Sequence, residues 1–120
     1  MPIQLSERHE GKVLEVGVSG KLIAADYERF VPEFERLAKQ HGKVRLLFEM
    51  SQFHGWNAKA AWDDFKFGVK HHQDIDRLAV VGEKKWQQRM TELSKLFITA
   101  EVRYFARTEM ETARTWLETN

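Results

Sequence analysis

Apolar positions along this chain change period several times, and the changes mark out its elements. Ile3 and Leu5 alternate with polar neighbours, Glu10-Gly11 supplies a turn, and Leu14, Val16 and Val18 alternate again, which predicts a β-hairpin. After Ser19-Gly20 the period lengthens. Tyr27, Phe30, Val31, Phe34, Leu37 and Ala38 fall on one helical stripe, closed by His41-Gly42, where glycine suits a left-handed cap. This predicts a helix over residues 25–40, kinked at Pro32, which removes a backbone donor inside it. Val44, Leu46, Leu47, Phe48 and Met50 then form a nearly continuous apolar run, as expected of a strand covered on both faces. Leu78-Ala79-Val80-Val81-Gly82 has the same character.

Between those two strands, the stretch from Phe53 to His72 carries a helix with two aromatic faces. Ala58, Ala61, Trp62, Phe65 and Val69 make a core-facing stripe, whereas Phe67 falls about 180° away from it. Trp86, Met90, Leu93 and Phe97 predict a third helix, with Lys85, Gln88, Glu92 and Lys95 on its polar side. Val102 and Tyr104 read as a last strand. Thr108-Glu109-Met110-Glu111 has the form of a capping box before an amphipathic helix carrying Met110, Ala113, Trp116 and Leu117. The order ββαβαβαβα defines an α/β fold whose right-handed crossovers require a mostly parallel sheet, with the first strand the antiparallel exception. Residues 1–120 form one domain, with no repeat or linker.

An opening hairpin followed by βα units in so short a chain resembles the STAS-like fold of bacterial anti-sigma-factor antagonists. The phrases Gly42-Lys43-Val44-Arg45-Leu46-Leu47, Phe53-His54-Gly55-Trp56, Trp62-Asp63-Asp64-Phe65-Lys66, Leu78-Ala79-Val80-Val81-Gly82 and Ala113-Arg114-Thr115-Trp116-Leu117 resemble, more narrowly, the SpoIIAA-like family, also called STAS/CRAL-TRIO-like. The resemblance spans nearly the whole chain and implies fold far more than function. Phospho-regulated antagonists carry a serine at the start of the helix after the third strand. The matching place here holds Trp56-Asn57-Ala58, with no hydroxyl, and Ser51 belongs to the end of the strand. A phosphate switch therefore has no acceptor at that place. The CRAL-TRIO relatives hold lipids, so the resemblance also implies an apolar or lipid-like ligand as an alternative, in a surface groove rather than a hollowed core.

Composition narrows the function classes. Nineteen basic against eighteen acidic side chains leave a net charge of +1, which gives no global field for nucleic acid. The absence of cysteine removes disulfides and thiolate chemistry and fits a cytoplasmic protein. No apolar run approaches the roughly 20 residues of a transmembrane helix, and no signal peptide opens the chain.

The candidate chemical groups do not assemble into a reaction. His71 and His72 are adjacent on a helix and diverge by about 100°, so they do not share a metal. Asp63 and Asp64 diverge likewise and read as a charged surface. Gly82-Glu83-Lys84-Lys85-Trp86 stands between strand and helix, where an anion can bind, but it lacks a Walker pattern, and its lysines read as solvated charges. His54 lies beyond the carboxyl end of a parallel strand, the usual ligand position in α/β sheets, without an acidic partner or nucleophile.

Trp62, Trp86 and Trp116 lie on amphipathic stripes and read as packing residues, whereas Trp56 sits in a loop beside Phe53. Phe53, Trp56 and Phe67 together predict an exposed apolar patch, with His54 and Trp86 beside it. The expectation is a non-enzymatic interaction or regulatory module without cofactor or metal, self-associating as a homodimer through this surface or binding a small apolar molecule there.

Overall fold

In the computed structural model of the chain, residues 3–22, 24–56, 66, 70, 74–96 and 100–119 are described. Their elements are β1 (Ile3–Arg8), β2 (Val13–Leu22), α1 (Ala24–His41), β3 (Val44–Trp56), β4 (Ile75–Gly82), α2 (Lys85–Ser94), β5 (Glu101–Ala106), a 3₁₀ turn (Arg107–Glu109) and α3 (Met110–Glu118). Lys66 and Lys70, within the predicted two-faced helix, are helical. Lys70 lies 3.8 Å from Glu35 of α1.

The five strands form one sheet in the order β1-β2-β3-β4-β5. β1 pairs antiparallel with β2, and every later pairing is parallel, as the chain order predicts. The hairpin turn uses left-handed backbone at His9, Glu10 and Gly11. Gly42 closes α1 in the same conformation, at φ +83°, and its N–H donates to Ala38 O at 2.8 Å.

Alternation along the strands sorts the core into two layers. Leu14, Val16, Leu46, Leu78, Val80 and Val102 face α1, whose Tyr27, Phe30, Phe34 and Leu37 are buried against them. Val13, Leu47, Ala79, Val81 and Phe105 face the other way, onto Ala113 and Leu117 of α3. The consecutive Leu46-Leu47 and Val80-Val81 pairs are thus apolar because both faces are covered. α2 joins the α1 layer, where Trp86 packs at its margin. Among the described residues, α3 alone covers the opposite face. Its carbonyl end is held by the sheet, with Arg45 donating to Leu117 O and Thr119 O at 2.6 Å each and Arg77 donating to Trp116 O at 2.6 Å.

Three local expectations change. β3 does not end near Met50 but continues to Trp56, because β2 is long enough to give it backbone partners as far as Leu22, through register shifts at Gly17/Ser19 and Gly20/Lys21. Ser19-Gly20 accordingly lies within a strand rather than after one. At the start of α3 the capping carboxylate is Glu109, which accepts the Ala106 N–H at 2.8 Å. Glu111 pairs with Arg114 instead.

Candidate functional site

β4 and β5 are neighbouring parallel strands, and the chain leaves their carboxyl ends in opposite directions. From β4 it enters α2 on the α1 face, and from β5 it passes through the 3₁₀ turn into α3 on the other face. Divergent exits of this kind open a crevice outside the strand ends, the position where α/β sheets bind ligands. A cleft of about 710 Å³ lies there, lined by Gly82, Glu83, Lys84 and Lys85 from the first exit, Gln88 from α2, and Tyr104, Ala106, Arg107 and Thr108 from the second. Arg107 and Glu83 face each other across it at 3.7 Å.

Behind the cleft lining, next to Gly82, is Gln87, whose side chain is fully buried. Its amide oxygen accepts the N–H groups of Glu83 at 2.9 Å and Lys84 at 3.1 Å, so the third helical residue caps the start of α2 from within. Its amide nitrogen donates to Met50 O at 2.6 Å and Phe53 O at 3.2 Å. One side chain therefore ties β3, the β4 exit and α2 together. Gly82 allows this closeness: a Cβ there would lie 2.8 Å from Gln87 Oε1 and 3.0 Å from Tyr104 Oη. Burial, and secondarily the Glu83 carboxylate, hold the Tyr104 phenol above its ordinary pKa.

Phe53 does not belong to an exposed aromatic patch. Phe53 is 0 % exposed, its ring centroid 5.7 Å from that of Trp86, so it belongs to the core. It points inward because β3 still runs in the sheet at this position. His54 and Trp56 are residues of β3 rather than of a loop: Gly55 pairs with Lys21 and Trp56 with Leu22. Phe67, Trp62, Asp63, Asp64, His71 and His72 lie outside the described residues. Trp86 is half-buried between the core and the surface of α2. Ser51, the nearest hydroxyl to the switch position, is buried within β3 and donates to Glu49 Oε1 at 2.5 Å.

A different apolar surface is present. Beside Trp86, the inward face of α2 carries two buried polar residues, Gln87 and Thr91, with the Thr91 hydroxyl donating to Gln87 O at 2.9 Å. Met90 and Leu93, predicted to be core, are 38 % and 49 % exposed, and Leu96 in the following turn is 76 % exposed. The helix turns Gln87 inward, where its amide nitrogen donates to the Met50 and Phe53 carbonyls. On its outer side Lys85, Gln88, Arg89 and Glu92 line a second groove of about 400 Å³.

Gln87, Tyr104 and Arg107 are the residues of this region that the sequence reading passed over. Glutamine at the third position of a helix was a local signal for half a capping box. Nothing local marks Tyr104 or Arg107, which reach the cleft through the pairing of β5 with β4.

Residues 13–118 match the family model described as SpoIIAA-like. Among solved structures, the chain is similar to an uncharacterised protein of the DUF3478 family with a SpoIIAA-like fold from Shewanella loihica PV-4. The two are 27% identical with a TM-score of 0.81, over 96% of this chain and 91% of that one. No curated protein matches.

Proposed function

The chain belongs to the SpoIIAA-like family, and we propose that it acts as a non-enzymatic interaction module that pairs with a second copy of itself through the outward flank of α2. The observation that carries this reading is the inverted helix, with Met90, Leu93 and Leu96 exposed while Gln87 and Thr91 take the inward face. An amphipathic helix ordinarily turns its apolar residues to its own core, so an outward apolar flank is a surface for another molecule. Arg89 and Glu92 lie beside that flank and favour self-pairing. In an antiparallel two-fold arrangement each copy's Arg89 comes near the other's Glu92, so the charges complement themselves. The buried Ser51 hydroxyl, bound to Glu49, supports a module that works without a phosphate switch.

A flank of three exposed apolar residues suits a weak, transient association. Sedimentation velocity from about 10 μM to about 1 mM tests it in the range where such pairs dissociate. The sedimentation coefficient of the wild type is expected to rise with concentration, while Leu93→Asp stays at the monomer value. A wild type that remains monomeric throughout, or a variant that associates equally, overturns the reading.

A further inference from the structure

The cleft at the ends of β4 and β5 has a chemistry of its own, independent of the apolar flank of α2. Three cations, Lys84, Lys85 and Arg107, and one carboxylate, Glu83, line it, leaving a local excess of two positive charges in a chain whose net charge is +1. The four charges come from the two diverging exits, so the excess is gathered by topology rather than by a basic run in the sequence. The adjoining groove shares Lys85 and Gln88 with the cleft and adds Arg89 and Glu92. The remaining polar groups suit the body of a ligand rather than its charge: Gln88 offers an amide and Tyr104 a hydroxyl. A volume of about 710 Å³ lies within the range of small-molecule sites, about 300–1,000 Å³.

We propose that this cleft binds a phosphate monoester carried on a small polar body. A dianion matches the two surplus cationic charges where a single carboxylate would leave one unmatched. Arg107 supplies the planar fork that grips two phosphate oxygens, and Lys84 and Lys85 supply point charges. The ion pair of Arg107 with Glu83, at 3.7 Å, is loose and exposed, so an entering phosphate displaces it at little cost. Gly82, without a side chain, lets Tyr104 and Gln87 pack closely at the base of the cleft.

The same chemistry reaches the cleft either free in solution or as a lipid headgroup, and the test separates the two. Amide chemical shifts of the full chain are followed during titration with glycerol 3-phosphate. In parallel, the chain is sedimented with phosphatidylcholine vesicles containing phosphatidic acid, a phosphate monoester, or phosphatidylglycerol, a diester. Saturable shifts at residues 83–88 and 104–108 are expected, with the dissociation constant raised at least tenfold in Lys84→Ala/Arg107→Ala and unchanged in Lys39→Ala on α1. Binding only to phosphatidic acid vesicles, lost in the same double variant, supports the site with a lipid as its carrier. Leu93→Asp should bind as the wild type does, which keeps failure of this site distinct from failure of self-association. The proposal is overturned by binding to neither probe, by binding that the double variant retains, or by equal binding to both anionic lipids.

Discussion

Replacing Gln87 tests the claim that one buried amide organises the carboxyl end of the sheet. Gln87→Ala removes four hydrogen bonds, to the N–H groups of Glu83 and Lys84 and to the carbonyls of Met50 and Phe53. At about 1 kcal/mol of net stability per bond the loss is about 4 kcal/mol, and the Phe53 carbonyl, being buried, has little access to water in exchange. The vacated volume adds about 1 kcal/mol. A total near 5 kcal/mol is a large share of the stability of any domain of this size, about 5–15 kcal/mol. Equilibrium unfolding in urea, followed by tryptophan fluorescence, measures it, with the slope expected to stay constant and the midpoint to fall.

Two further variants divide that loss into its parts. Gln87→Met keeps the volume and removes the hydrogen bonds, so it should fall within about 1 kcal/mol of Gln87→Ala. Gln87→Glu can still accept the two N–H groups but, ionised, has nothing to donate to two carbonyls. Burial and those carbonyl dipoles raise its folded pKa above the ordinary value of about 4.3. With the folded pKa raised, stability is greatest below the ordinary carboxyl pKa and is lost as pH rises through the folded value. A Gln87→Met variant as stable as the wild type would refute the reasoning, because the side chain would then matter as packing alone.

Other consequences concern α3 and Tyr104. Arg45→Ala together with Arg77→Ala removes the donors that satisfy Trp116 O, Leu117 O and Thr119 O. The pair should cost about 2–3 kcal/mol and accelerate amide exchange in α3 before β3 is affected, whereas uniform exchange across both would show that the carbonyls find water equally well. Ultraviolet titration should show a phenol phase above the ordinary value of about 10 that is lost in Tyr104→Phe. Because the folded pKa is raised, Tyr104 contributes its stability below the unfolded pKa and loses it as pH climbs past that point. An unchanged titration curve in Tyr104→Phe would reject the assignment.

Elements whose residues answer to a single nearby surface were legible in the sequence. β1, β2 and α1 follow the period of their apolar residues because one core enforces alternation or a helical stripe, and β4 is legible as a continuous apolar run because it is covered on both faces. The misreadings share another cause. Met90 and Leu93 have the spacing of a core stripe, yet the position beneath α2 is claimed by two strand carbonyls that no local pattern reveals. Residues 51–56 carry few apolar signals and one glycine, and they remain strand because β2, bulged twice, keeps offering partners. In each case a backbone hydrogen-bonding demand set by tertiary arrangement overrode the apolar count. The candidate site moved for the same reason: Phe53 was read as exposed from a boundary that the sheet extends.

The position of the cleft follows from topology more than from any residue in it. Strands that succeed one another across the sheet in chain order must, with right-handed crossovers, carry their connecting helices on one face. α1 and α2 obey this, which leaves Val13, Leu47, Ala79 and Val81 uncovered on the other face until the chain has no further strand to make. Only the segment leaving β5 is free to cross over, and burial of that apolar face drives it to do so as α3. Divergent exits therefore arise at β4 and β5, whereas β3 is still pairing with β2 where His54 stands. The cleft at the last two strands results from the same burial that completes the core. The charges of Lys84, Lys85 and Arg107 converge because the two exits that carry them must part company at that point.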